Sequence, residues 1–170
     1  MKRPFVSLRP EITRTHAMVL MDWLADDRVT RYLSDSGSVS RSIAQAIERT
    51  QMPILTHLFN RGGRLLMVHD GDDVPVGFLR LVKTGSECEI VLAVGGHRSW
   101  GRGIGSSIIR EGLKLAFLEM RAETVVAKIH PSNLRSLRAF ERCGFVFRSE
   151  TPTLTSLSMT AGRYRRLLRE

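Results

Sequence analysis

EIVLAVGGHRSWGRGIGSSII, residues 89–109, is the stretch on which the reading of this chain turns. After Glu89 its residues are apolar and partly β-branched, as expected at the end of a strand running Glu87–Val94. Glycines follow at 101, 103 and 105. From Ile104 the residues Ile108, Ile109, Gly112, Leu115 and Ala116 mark one face of a helix that reaches about Met120. Alternate glycines let the main chain turn tightly and come close to a ligand. A helix starting at once behind them aims its first free N–H groups and its dipole at whatever the loop holds. That junction is a phosphate cradle, and Arg98, Arg102 and Arg110 flank it. Glycines serving only as a flexible turn are the plainer alternative, and the strand, helix and cations around them weigh against it.

Spacing excludes two other phosphate motifs. A Walker loop needs Gly-Lys-Ser/Thr after four intervening residues, and no lysine lies in this loop. A dinucleotide fingerprint needs G-x-G-x-x-G, but Gly101-x-Gly103 is followed by Ser106, and Gly103-x-Gly105 by Ile108.

Outward from the loop, the pattern alternates between the two periods. Phe5–Arg9 reads as a strand stopped by Pro10. Thr13 reads as the cap of a helix carrying Ala17, Leu20, Met21 and Leu24. Asp26, Asp27, Ser34, Asp35, Ser36 and Gly37 punctuate the next stretch. Residues 40–60 are helical in pattern, with Pro53 as a break. Arg64–His69, a turn at 70–73, Val74–Val82 and Glu87–Val94 form a run of three strands. After the loop helix come a strand at 123–129, a helix at 133–143 stopped by Gly144, and strands at 145–148 and 154–159. The order implies an α+β fold, a mixed and mostly antiparallel sheet with helices on both faces. No linker separates a second unit, so residues 1–170 read as one domain, with 10–62 shaping an acceptor site and 64–160 forming a cofactor-binding core.

Bulk properties agree with a globular chain. Of 170 residues, 42% are hydrophobic and 25% charged, and no stretch approaches the roughly 18 apolar residues of a membrane span. A basic start without an apolar run is no secretory signal, which makes the cytoplasm the expected compartment. Cys88 and Cys143 belong to no cluster and are expected to be buried thiols, and the five histidines show no metal-ligand spacing, so no metal is expected. The net charge of +9 favours an anionic partner, and residues 135–170 carry eight Arg against three Glu. A solvated surface is the bland reading of that tail. A basic nucleic-acid-binding module is a rival one, but no helix-turn-helix or stacking-aromatic pattern accompanies the charge.

At this point a family comes into view. WGRGIGSSII resembles the coenzyme A pyrophosphate loop of the GNAT superfamily of N-acetyltransferases, written Q/R-x-x-G-x-G/A, with Trp100 taken at the Gln/Arg position. Asn133-Leu-Arg-Ser136-Leu-Arg-Ala-Phe140-Glu141-Arg-Cys-Gly144-Phe145 is similar to its N-x-x-S-x-x-x-Y-E-x-x-G-F. The likeness covers about residues 64–160, and the Trp points to the branch with ribosomal-protein N-terminal and aminoglycoside acetyltransferases.

The resemblance implies acetyl-CoA as cosubstrate, held by Leu92, Ala93, Val94, Trp100, Gly101, Arg102, Gly103, Ile104, Gly105, Ser106, Asn133 and Phe140. The pantetheine arm would pair with the backbone of Leu92–Val94 like an added strand. Acyl transfer requires an amine without its proton, because an alkyl amine is cationic at neutral pH. Glu89 stands where the family often places the base; Glu87, on the same side of the strand, and water remain open. The N–H of Val94 or a neighbour would stabilise the oxyanion. The family's tyrosine is replaced by Phe140, which leaves Ser136, Asn133 or water to protonate the departing thiolate, or leaves that step unassisted. Asn133 could equally be a simple helix cap. Loop histidines His97 and His130 read as solvated, and neither Tyr32 nor Tyr164 is placed at the thiol by the sequence. The acceptor is a small-molecule or peptide amine, towards which Asp22, Asp26, Asp27, Asp35 and Glu48 could draw a cation. Two further readings stay open: a non-catalytic coenzyme A sensor, and a homodimeric assembly.

Overall fold

The computed structural model describes residues 2–33, 36–96 and 99–170, and the side chains of all of these except 36–38. Ser34, Asp35, His97 and Arg98 therefore lie outside the described residues.

Seven strands form one sheet: β1 (Val6–Arg9), β2 (Arg64–Asp70), β3 (Pro75–Thr84), β4 (Glu87–Val94), β5 (Thr124–Ile129), β6 (Val146–Glu150) and β7 (Thr155–Thr160). Their order across the sheet is β1-β2-β3-β4-β5-β7-β6. Only β4 and β5 run parallel; the other pairs are antiparallel. The parallel step exists because a helix fills the connection between its strands, the one case that a short hairpin cannot close.

That helix is α5 (Ile104–Lys114), extended by a π-helical turn Leu115–Glu119. It packs with α6 (Leu134–Arg142) and α7 (Ala161–Leu167) on one face of the sheet. Ile108, Ile109, Leu113, Phe140, Phe145, Leu157 and Tyr164 belong to the core there. The other face carries α1 (Arg14–Leu24), α2 (Asp27–Thr30), α3 (Ser36–Arg49) and α4 (Thr56–Phe59) over a smaller core that includes Ile12, Ala17, Leu20, Leu55, Met67 and Phe78. Side chains alternate across β4, so Cys88 and Ile90 join the first core and Ala93 the second.

The sequence pattern anticipates the seven strands and the capped starts of two helices. Thr13 caps α1 through a reciprocal pair with His16, and Asn133 caps α6. Pro53 does separate α3 from α4, but α3 begins at Ser36, four residues before the expected start. Two helices escape the pattern. α2 is a single turn capped by Asp26, and α7 is short, capped by Thr160, with Tyr164 as its one buried residue. Neither offers two turns of apolar repeat. Cys88 is fully buried and Cys143 half-buried, and burial pushes both thiols up, away from the reactive thiolate. No helix among the described residues is long and apolar enough to cross a membrane.

Candidate active site

The first amides of α5 have no acceptor among the described residues. Gly101 and Gly103 adopt φ of 75° and 79°, the left-handed region that a side chain makes costly. The first bond of α5 runs from the Ser107 N–H to the Gly103 carbonyl at 3.1 Å. The N–H groups of Ile104, Gly105 and Ser106 precede it and have no acceptor among the described residues. A Cβ added at Gly101 would meet nothing within 4 Å, and one at Gly103 would meet only Pro4, at 3.6 Å. Free donors at a helix start, facing open space, fit a polyphosphate. Pro4 is held there by Ser107, whose hydroxyl donates to its carbonyl at 2.9 Å.

The cradle continues into a slot. β4 pairs with β5 only at Glu87, Cys88 and Glu89, opposite Thr124, Val125 and Val126, so Ile90–Val94 has no partner on that side. The Gly95 N–H donates to the Val76 carbonyl at 2.8 Å and therefore faces β3. By alternation, the N–H and C=O groups of Ile90, Leu92 and Val94 face the opening. Glu89 stands at its apex. At the mouth, the Trp100 indole N–H donates to the Val94 carbonyl at 3.0 Å, and the Arg135 guanidinium lies 4.3 Å from the centre of that indole.

A second contact crosses the mouth from the other face. Tyr32, in the turn after α2, donates its hydroxyl to the Ser132 carbonyl at 3.3 Å and stacks on His130 at 5.4 Å. The Ser132 N–H donates to His130 Nδ1 at 3.1 Å, which in the neutral ring leaves the proton on Nε2. Trp23 of α1 lies so close against Gly95 that a Cβ there would fall inside its ring.

The remaining expected residues are held by contacts of their own or exposed. Glu89 forms an ion pair with Lys128 at 3.4 Å, its side chain 36% exposed. Glu87 is tied to Arg148 at 2.9 Å. Asn133 accepts from the Ser136 N–H at 3.3 Å, the cap geometry, with its amide NH2 left over. Phe140 is 3% exposed and meets Phe145 edge-on at 4.9 Å, in the core beside the slot. Asp26 caps α2 and binds Arg28, while Asp22, Asp27 and Glu48 are exposed on their helices. Tyr164 stacks on Phe117 at 4.9 Å in the core.

The family model for an acetyltransferase (GNAT) domain matches residues 6–146. The chain belongs to the GNAT acetyltransferase family. This GNAT chain also resembles solved structures across nearly its whole length. An aminoglycoside acetyltransferase in complex with coenzyme A and kanamycin matches with a TM-score of 0.74 and 16% identity, covering 95% of this chain and 98% of that one. The spermidine N-acetyltransferase from Vibrio cholerae, in complex with CoA and spermine, gives 0.77 and 13%, covering 94% and 98%. An acetyltransferase of the GNAT family from Bacillus anthracis gives 0.73 and 18%, covering 94% and 97%. No curated protein matches by sequence.

The basic tail is largely solvated, Arg163 being the one of its eight arginines that is not exposed, and Arg135, Arg148 and Arg163 make contacts with Trp100, Glu87 and the Gly144 carbonyl. The contacts of Trp23, Arg31, Tyr32 and Arg135 around this opening were not read from the sequence. Trp23, Tyr32 and Arg135 meet partners across the fold that no local spacing signals, whereas Arg31 lies against the adjacent Tyr32.

Proposed function

We propose that this GNAT acetyltransferase moves an acetyl group from acetyl-CoA to a primary amine by direct attack in a ternary complex. One observation carries the reading: among the described residues, three amides at the start of α5 have no acceptor, and Ile90–Val94 of the strand before that loop has no partner on the β5 side. A cofactor with a pyrophosphate at one end and an amide-bearing arm at the other matches both in sequence.

Within that reading, residues 10–62 shape the acceptor site, and the amine enters at the apex, where Glu89 takes its proton directly or through water. The amine nitrogen bonds to the acetyl carbon and the carbon–sulfur bond breaks. The Val94 N–H, directed into the opening, is the donor for the oxyanion. Phe140 has no hydroxyl, so Asn133 Nδ2, Ser136 or water protonates the thiolate, which near pKa ~8.5 is a tolerable leaving group unaided.

Acetyl-CoA at about a hundredfold over its Kd should stabilise the protein by ~2.7 kcal/mol, roughly 5–10 °C in Tm at this size. Free thiol should then appear when a panel of amines is added. No thermal shift would sink the reading. The buried, hydroxyl-free Phe140 keeps one other reading in play, a coenzyme A sensor, and a thermal shift without thiol release under any amine would favour it.

A further inference from the structure

Two contacts span the mouth of the slot, and an arginine belongs to each. Arg135, in the first turn of α6, covers the Trp100 ring at 4.3 Å. Arg31, at the end of α2, lies 5.3 Å from the centre of Tyr32. Both arginines are exposed, and no ion pair among the described residues involves either. A guanidinium resting on an aromatic face keeps its N–H fork directed outward, the geometry that accepts a carboxylate or phosphate.

No carboxylate among the described residues pairs with either arginine. Asp26 is engaged by Arg28, Glu89 by Lys128 and Glu87 by Arg148. Asp22 and Asp27 are exposed on α1 and α2, where they serve neither arginine. A polycation approaching this rim meets like charge, while an amine with negative charge beside it gains two partners.

Resting on the acetyltransferase reading above, we propose that the acceptor is a primary amine carrying one or two anionic groups, received by Arg31 and Arg135, and that polycationic amines are rejected. The chemistry is shared by an acidic peptide N-terminus and a phosphorylated amino sugar. It differs from that of spermidine or kanamycin, which present several cations.

The test measures kcat/KM for two anionic acceptors (the tripeptide Ser-Glu-Glu and glucosamine 6-phosphate) against three cationic ones (Ser-Lys-Lys, spermidine and kanamycin). At least one anionic acceptor should exceed every cationic one by about tenfold, the combined effect of two rim ion pairs of ordinary surface strength. The two anionic arms tell a peptide source from a small-molecule source. Arg31→Glu with Arg135→Glu should invert the ranking, with the fold retained by circular dichroism. Where no acceptor turns over, binding to the coenzyme A-saturated protein is ranked instead, and equal binding of Ser-Glu-Glu and Ser-Lys-Lys overturns the proposal. So does spermidine or kanamycin outperforming both anionic acceptors, or a ranking untouched by the charge reversal. Loss of the thermal shift in the parent protein would instead strike the acetyltransferase reading itself.

Discussion

On one face of the sheet, β4 leads to α5 through bare backbone: two left-handed glycines, three amides without an acceptor among the described residues, and a strand edge that β5 leaves open beyond Glu89. On the other face, the opening is enclosed by side chains that meet from distant parts of the chain, Trp23 on Gly95, Tyr32 on His130 and Ser132, and Arg135 on Trp100. A backbone site suits a cosubstrate that never changes, because glycine spacing and helix capping are local and hard to disturb. A side-chain site suits an acceptor that differs between relatives, because each contact can be replaced without rebuilding the sheet.

The division can be attacked where the two faces meet, at Glu89. If its carboxylate is the base, Glu89→Gln should lower kcat by about 10²–10⁴, the usual worth of a positioned general base, with acetyl-CoA affinity unchanged. A kcat within threefold of the parent would move the proton to water or another group.

Gly103→Val tests the backbone face alone. A β-branched residue at φ 79° costs of order 1–3 kcal/mol in strain. Relaxing that strain misdirects the amides that follow. We expect acetyl-CoA affinity to fall by about a hundredfold, the loss of one or two charge-assisted hydrogen bonds at ~1.5–3 kcal/mol each. The fold should persist by circular dichroism. Unchanged affinity would mean that the loop is not the cradle.

Gly95→Ala probes the other side of the junction. Its Cβ would displace Trp23, an overpacking cost of roughly 1–3 kcal/mol. The acceptor KM should rise severalfold while acetyl-CoA affinity stays near the parent value. Equal losses for both substrates would erase the distinction between the faces.

How much of this was legible follows the same line. Glycines 101, 103 and 105 and the cap at Asn133 declare themselves within a few residues, so the strand–loop–helix junction and the strand count could be read directly. Glu89 was legible as a position on a strand, but its Lys128 partner was not, since β4 and β5 pair only after an intervening helix. Arg135 and Arg148 counted merely as tail charge, because the sequence does not show which arginine lies beneath an indole or beside Glu87. α7 went unread for a different reason: with one buried residue in a single short run, it has no period to detect.

A last contrast concerns protons. Among the described residues, histidine is absent from the core over α5, whereas the face carrying α1–α4 buries two. The Thr13 N–H donates to His16 Nδ1 at 3.2 Å, so His16 carries its proton on Nε2, 2.9 Å from His69 Nε2. His69 must accept there and donate from Nδ1 to Asp73 at 2.8 Å, where Arg9 also binds at 2.7 Å. Two protons on four nitrogens satisfy every contact; a third breaks either the α1 cap or the link between the rings. Burial, with the neighbouring His69 charge second, accordingly lowers the His16 pKa. The unfolded chain then takes up a proton first as pH falls below the ordinary value of ~6.5. Stability is full above that value and declines as pH drops from there towards the lowered one. His16→Asn removes the titration as well as part of the α1 cap, so the variant should melt lower at pH 7.5 by a few degrees, in line with ~1 kcal/mol for a cap at ~2–4 °C each. Between pH 7.5 and 5 its Tm should fall less than the parent's. Parallel curves over that range would show that this face holds its histidines without any cost in protonation.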